Sequence, residues 1–147
     1  MTPATARIVS ITIPASLKHV ALVGLSVRAI SGFELFIQDD AVLIELAVCE
    51  ALNNAIIHSL NELEGESIDL GIVVWPDRIA FTMRYRGPRI EDGLDGDQKR
   101  NREPLATSGR GMSIIQDVMD RVQYERQGEY NVISMEKTTA NACPNIP

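Results

Sequence analysis

The feature that most limits the fold is the stretch ELAVCEALNNAIIHSL, residues 45–60, within the longer run DDAVLIELAVCEALNNAIIHSLNELEG. Between Ala41 and Leu52 only Glu45 and Glu50 interrupt the apolar residues, and then Asn53, Asn54 and His58 arrive. Such a run is too apolar for a surface helix and too polar for one buried all round. Asp39 or Asp40 would cap it and Gly65 would stop it. With Glu50 at zero on a wheel of 100° per residue, Asn54 falls about 40° away, and Leu43, Ile57 and Asn61 within about 20°. Val48, Cys49, Leu52, Ile56 and Leu60 lie on the opposite side. A carboxylate and an amide therefore share one half-apolar face. A buried carboxylate is unfavourable unless it is paired or placed to do chemistry. The pair reads either as chance polar residues on a solvated face or as a site, and spacing alone leaves both open. His58 continues the stripe and reads as a helix-end histidine.

The segments around this helix set the fold class. ARIVSITIPA has the β-branched density of a strand, ended by Pro14. SLKHVALVGLSVRAI has helical spacing, with Ser16 as N-cap and Gly32 as its close. FELFIQ reads as a short connector. SIDLGIVVWP and RIAFTMRYR form a hairpin turning at Pro76-Asp77. Residues 86–110 are a long polar loop, GMSIIQDVMDRV is a helix, and VQYERQGEYNVISMEK is a hairpin turning at Gly128. Runs of adjacent strands predict a two-layer α/β sandwich with a mostly antiparallel sheet and helices on one face. The other face must meet solvent or a partner. A single domain over 1–137 is expected, with a frayed tail over 138–147.

Charge and composition narrow the function. The 14 basic and 20 acidic residues leave a net charge of -6, which speaks against a nucleic-acid or anionic-membrane surface. No uninterrupted apolar run approaches the roughly 18 residues of a span, and the N-terminus MTPATARIVS does not resemble a signal peptide. Cys49 and Cys143 are too few for a disulfide framework. A cytoplasmic protein with reduced thiols is expected.

TSGRGMSII, residues 107–115, is the second constellation. Gly109 and Gly111 permit close backbone approach, and a helix N-terminus offers free N–H groups to an anion. Thr107 and Ser108 add hydroxyls, and Arg110 a positive charge. The polar stretch 88–108 ahead of it reads as a phosphate lid, or as a plain loop-to-helix junction with Ser108 as cap.

Taken in order, ELAVCEALNNAIIH, YRGPRIEDG and SGRGMSIIQDVMDRV resemble the bacterial anti-sigma-factor serine kinases. Those belong to the GHKL-type ATPase superfamily, with gyrase, histidine kinases and mismatch-repair proteins. IPASLKHVALVGLSVRAIS resembles their first helix, so the likeness runs over roughly residues 7–137. It implies a Bergerat-type ATP-binding fold and Mg-ATP as cofactor. By the same resemblance, Asn54 is the magnesium ligand and Glu50 the general base on a substrate serine. Gly109, Arg110 and Gly111 form the phosphate-cradling box, with Thr107 and Ser108 beside them. The implied partners are an alternative sigma factor and a STAS-type antagonist, and the implied assembly is a homodimer through the first strand and helix.

The resemblance breaks at the base. Where the family has Asp-x-Gly, with the Asp accepting the adenine amino group, this chain has Tyr85-Arg86-Gly87. Where the family often has Gly-Thr-Thr before the last strand, it has Tyr130-Asn131-Val132, with a register open to a shift of one residue. Glu50 and Asn54 favour an active kinase that phosphorylates the antagonist on serine, which is the leading expectation, and Tyr85 favours the alternative, a pseudokinase that binds its partners without ATP turnover. Action in trans as the ATP-binding half of a sensor system ranks last.

Overall fold

A computed structural model describes residues 5–33, 35–58, 65–90, 96–97 and 106–139, with side chains for all of these but 96–97 and 106–111. The elements are β1 (Arg7–Pro14), a 3-10 turn (Leu17–His19), α1 (Val20–Gly32), α2 (Gln38–His58), β2 (Ser67–Trp75), β3 (Arg78–Arg86), β4 (Gly96–Asp97), α3 (Ala106–Val118), β5 (Arg121–Gln127) and β6 (Tyr130–Thr138). The six strands form one sheet in the order β1-β2-β3-β6-β5-β4. Every neighbouring pair is antiparallel. The chain is thus an α+β sandwich of the expected kind.

Alternation explains why the sheet has one apolar face. Ile68, Leu70, Ile72 and Val74 of β2 are buried, as are Ile79, Phe81, Met83 and Tyr85 of β3. The register sets Ile72 beside Phe81 and Phe81 beside Met135. Side chains two residues apart share a face, so these rows form one surface. Val23 and Val27 of α1, Ile44, Leu52 and Ile56 of α2, and Ile115 of α3 join the same core cluster. The other face carries polar side chains on β3 and its neighbours. Arg84 stacks 3.6 Å from the Tyr130 ring, and Arg86 reaches Glu66 and Glu129 at 3.5 and 3.3 Å.

The turns follow their residues. Pro76 and Asp77 link paired Trp75 and Arg78. Gly128, at φ 63°, opens the two-residue turn between Gln127 and Tyr130, where a first corner with positive φ matches the strand twist.

Several boundaries differ from expectation. α2 begins at Gln38, so Asp39 and Asp40 sit inside its first turn. There they meet the positive end of the helix dipole instead of capping it. Ser16 caps the 3-10 turn, and its hydroxyl makes no cap bond. Gly65 has φ 81°, but residues 59–64, ahead of it, lie outside the described residues. β6 runs through Thr138, and the Thr139 amide donates to Asp77 O at 3.0 Å. The remainder of the predicted tail lies outside the described residues. By length and composition α2 could cross a membrane, with a mean hydropathy of 1.4. Here Ala41, Ile44, Ala47, Val48, Ala51, Leu52, Ala55 and Ile56 bury it in the core.

α1 and α2 meet at Gly24. A Cβ there would lie 2.5 Å from Cys49 Sγ and 3.2 Å from Glu45 Oε2. Arg28 Nε binds Glu45 Oε1 at 3.2 Å across the same contact. Helix propensity alone would favour Gly24→Ala by up to about 1 kcal/mol. Overpacking should reverse that sign and destabilise the chain by about 1–3 kcal/mol in urea denaturation. Adding Cys49→Ala should recover most of the loss. A Gly24→Ala variant as stable as wild type would mean that the glycine does not set the helix spacing.

Candidate functional site

The helical arithmetic of α2 holds in three dimensions. Glu50 and Asn54 are half-buried. Leu43, Leu46 and Ile57, on the same side, are 46%, 41% and 57% exposed, whereas Leu52 and Ile56 are fully buried. Asn54 Nδ2 lies 3.7 Å from Met112 Sδ of α3, so the amide faces the neighbouring helix. His58 is exposed at the described end of α2. Burial is the largest influence raising the Cys49 thiol above its ordinary pKa, followed by the charges of Glu45 and Glu50.

The glycine-rich stretch is placed differently from expectation. α3 starts at Ala106, so Thr107, Ser108, Gly109, Arg110 and Gly111 are helical in backbone. The free N–H groups of a helix belong to its first four residues, which here are Ala106–Gly109. Neither Gly109 nor Gly111 takes positive φ. The side chains of Thr107, Ser108 and Arg110, and most of the predicted lid, lie outside the described residues. Gln116 Nε2, further along α3, is buried without a hydrogen-bond partner among the described residues.

At the end of β3 the sheet closes into a polar cluster. Tyr85 is 2% exposed, and its ladder partner on β6 is Asn131, itself fully buried. Asn131 Oδ1 accepts from the Tyr124 hydroxyl and from Arg126 Nη1, the latter at 3.0 Å. Asn131 Nδ2 donates to Pro88 O at 2.8 Å. The Tyr85 ring lies beside this network, near enough to the Asn131 side chain and Arg126 for both to favour its ionised form. The Ile90 amide donates to Tyr124 Oη at 3.2 Å. Arg126 Nη1 donates to Gly87 O, and the Gly87 amide to Glu129 O at 3.1 Å. Residues 87–90 are thereby strapped to β5 and β6. Asn131 lies in the tripeptide that the resemblance sets with Tyr85 at the base, whereas Tyr124 and Arg126 are further neighbours whose only sequence signal is a Tyr-x-Arg spacing that puts both side chains on one face.

Helices on one face of an antiparallel sheet, with a carboxylate–amide pair on the long helix, define an ATPase-like domain. The chain belongs to the histidine kinase-like ATPase domain family, whose model matches residues 13–137. It is similar to the serine-protein kinase RsbW of Bacillus velezensis, 24% identical over 80% of this chain and 77% of that protein. The RsbW of Bacillus subtilis is 22% identical over 84% and 81%. An anti-sigma F factor of Pasteuria penetrans is 32% identical over 64% and 65%.

Membership implies an ATP site, and the residues present fit it in one half only. An amide oxygen at Asn54 suits a hard cation, and Glu50 stands one helical turn from it. At the position that the resemblance gives to the base-reading carboxylate stands Tyr85, and both lone pairs of Asn131 Oδ1 beside it are already taken.

Burial raises the Tyr85 phenol well above its ordinary pKa, the nearby Tyr124 adds to this, and Asn131 and Arg126 oppose it. The unfolded chain ionises near pH 10 while the fold keeps its proton, so stability falls as pH rises through that value. Between about pH 10 and 11 wild type should lose up to about 1.4 kcal/mol more than Tyr85→Phe in urea unfolding. Parallel losses would mean that Tyr85 ionises freely in the fold.

Proposed function

We propose that this chain is an anti-sigma factor of a partner-switching system. It holds an alternative sigma factor and is drawn off it by a STAS-type antagonist, in the cytoplasm, as a single domain over 1–137. The family and the names of the relatives support this role. The observation that carries protein binding is the outward apolar surface of the helix layer. Leu22 and Leu25 of α1 are 62% and 51% exposed, and Leu43 and Leu46 of α2 are 46% and 41% exposed. Single exposed apolar residues are ordinary, but four large ones on two packed helices supply apolar area for a partner.

A homodimer belongs to the same reading. β1 is an edge strand with Ile8 73% exposed, and Phe33 at the end of α1 is 71% exposed. A cavity of about 310 Å³ beside Phe33 is lined by Arg7, Val9, Ala29, Ile30, Phe33 and Val74, and Ile8 projects from the opposite face of β1.

A second reading keeps phosphate transfer to a serine of the antagonist, and the pairing of Glu50 with Asn54 favours it. In that case Glu50 acts as general base and Asn54 as a metal ligand. The Tyr85 cluster favours binding without turnover, which we take as the leading mode.

The test is direct. Purified alternative sigma factors and STAS-type proteins from the same organism are titrated against the chain, with light scattering of the chain alone. One sigma factor should bind and be displaced by one antagonist, and the free chain should weigh twice its 16.2 kDa. Failure of every sigma factor to bind sinks the role. Serine phosphorylation of the antagonist that is lost in Glu50→Ala would install the second reading.

A further inference from the structure

The strap at residues 87–90 leads from a cluster in which Asn131, Tyr124 and Arg126 bond one another and the strap's own backbone. Ser31 Oγ and Gln116 Nε2 are the buried side-chain atoms without partners among the described residues, and neither belongs to it. A ligand pocket ordinarily keeps a few convergent polar groups free for its ligand. At this end of the sheet those groups are spent inside the chain. Asn131 uses both faces of its amide, Tyr124 bonds the Ile90 amide as well as Asn131, and Arg126 bonds both Asn131 and Gly87. The Tyr85 ring is packed into the core beside them.

We propose that Tyr85, with the Asn131–Tyr124–Arg126 network, is a built-in occupant of the base subsite. It fills the place where family members take adenine and keeps Gly87–Ile90 docked on β5 and β6 without any nucleotide. The inference rests on the family assignment and on the binding-only mode, but not on which partner is bound. Its physical basis is that a base would have to break satisfied buried bonds, each leaving a donor or acceptor exposed to an apolar wall. The chain should hold its partner equally well with and without Mg-ATP.

Calorimetry with Mg-ATP and Mg-GTP tests this on wild type and on the double variant Tyr85→Asp/Asn131→Thr. Wild type should show no binding of either up to about 1 mM, and the double variant should gain at least tenfold in ATP affinity with preference over GTP. Wild type binding Mg-ATP at low micromolar level overturns the proposal. So does a folded double variant, checked by circular dichroism, that gains nothing. If the double variant does not fold, amide hydrogen exchange at Ile90 in wild type still decides. Strong protection that Mg-ATP leaves unchanged supports the built-in occupant, and an Ile90 amide protected only when Mg-ATP is added sinks it. A chain that binds its sigma factor and also Mg-ATP loses this inference and keeps its role. A chain that binds neither keeps the filled subsite and loses the role.

Discussion

A sheet with one apolar face has to be covered, and nearly everything else in this protein answers to that need. Ile79, Phe81, Met83 and Tyr85 of β3 form the middle of the covered surface. α2 lies in the same core through Ile44, Val48, Leu52 and Ile56. α1 comes close to α2 because Gly24 has no Cβ to hold Cys49 away. The arrangement leaves Glu50 and Asn54 half-buried, with Asn54 against Met112 of α3. The carboxylate–amide pair is therefore placed by how the apolar residues pack, with no dedicated scaffold of its own.

The same covered face creates a difficulty at its far end. Asn131 interrupts an apolar strand in a fully buried position, and an unpaired buried amide costs about 1–3 kcal/mol. The chain meets this locally: two donors reach its oxygen, and its nitrogen ties down the backbone after β3. The two halves of the site are thus built on different physics. The helical half depends on periodicity along one element. The sheet half depends on register between β3, β6 and β5.

That division also explains what could be read from the sequence. The wheel around Glu50 uses one helix, so the neighbours of Asn54 on that helix were legible, as were the hairpins at Pro76-Asp77 and Gly128. Asn131 was tied to Tyr85 only through the resemblance, and Tyr124 and Arg126 were not legible, because nothing in the chain order announces that β6 lies between β3 and β5. The start of α3 was hidden by composition: Thr-Ser-Gly-Arg-Gly has the look of a loop, and tertiary contacts such as that of Asn54 with Met112 override weak propensity. Asp39 and Asp40 look like caps because acidic residues suit both the cap and the first turn.

The acidic residues beside Cys49 have an effect on the chemistry of the thiol. The thiolate is the form attacked by oxidants and alkylating agents, and burial with Glu45 and Glu50 nearby makes that form scarce. The close approach of α1 and α2 at Gly24 thus holds this half-buried thiol where loss of its proton is disfavoured.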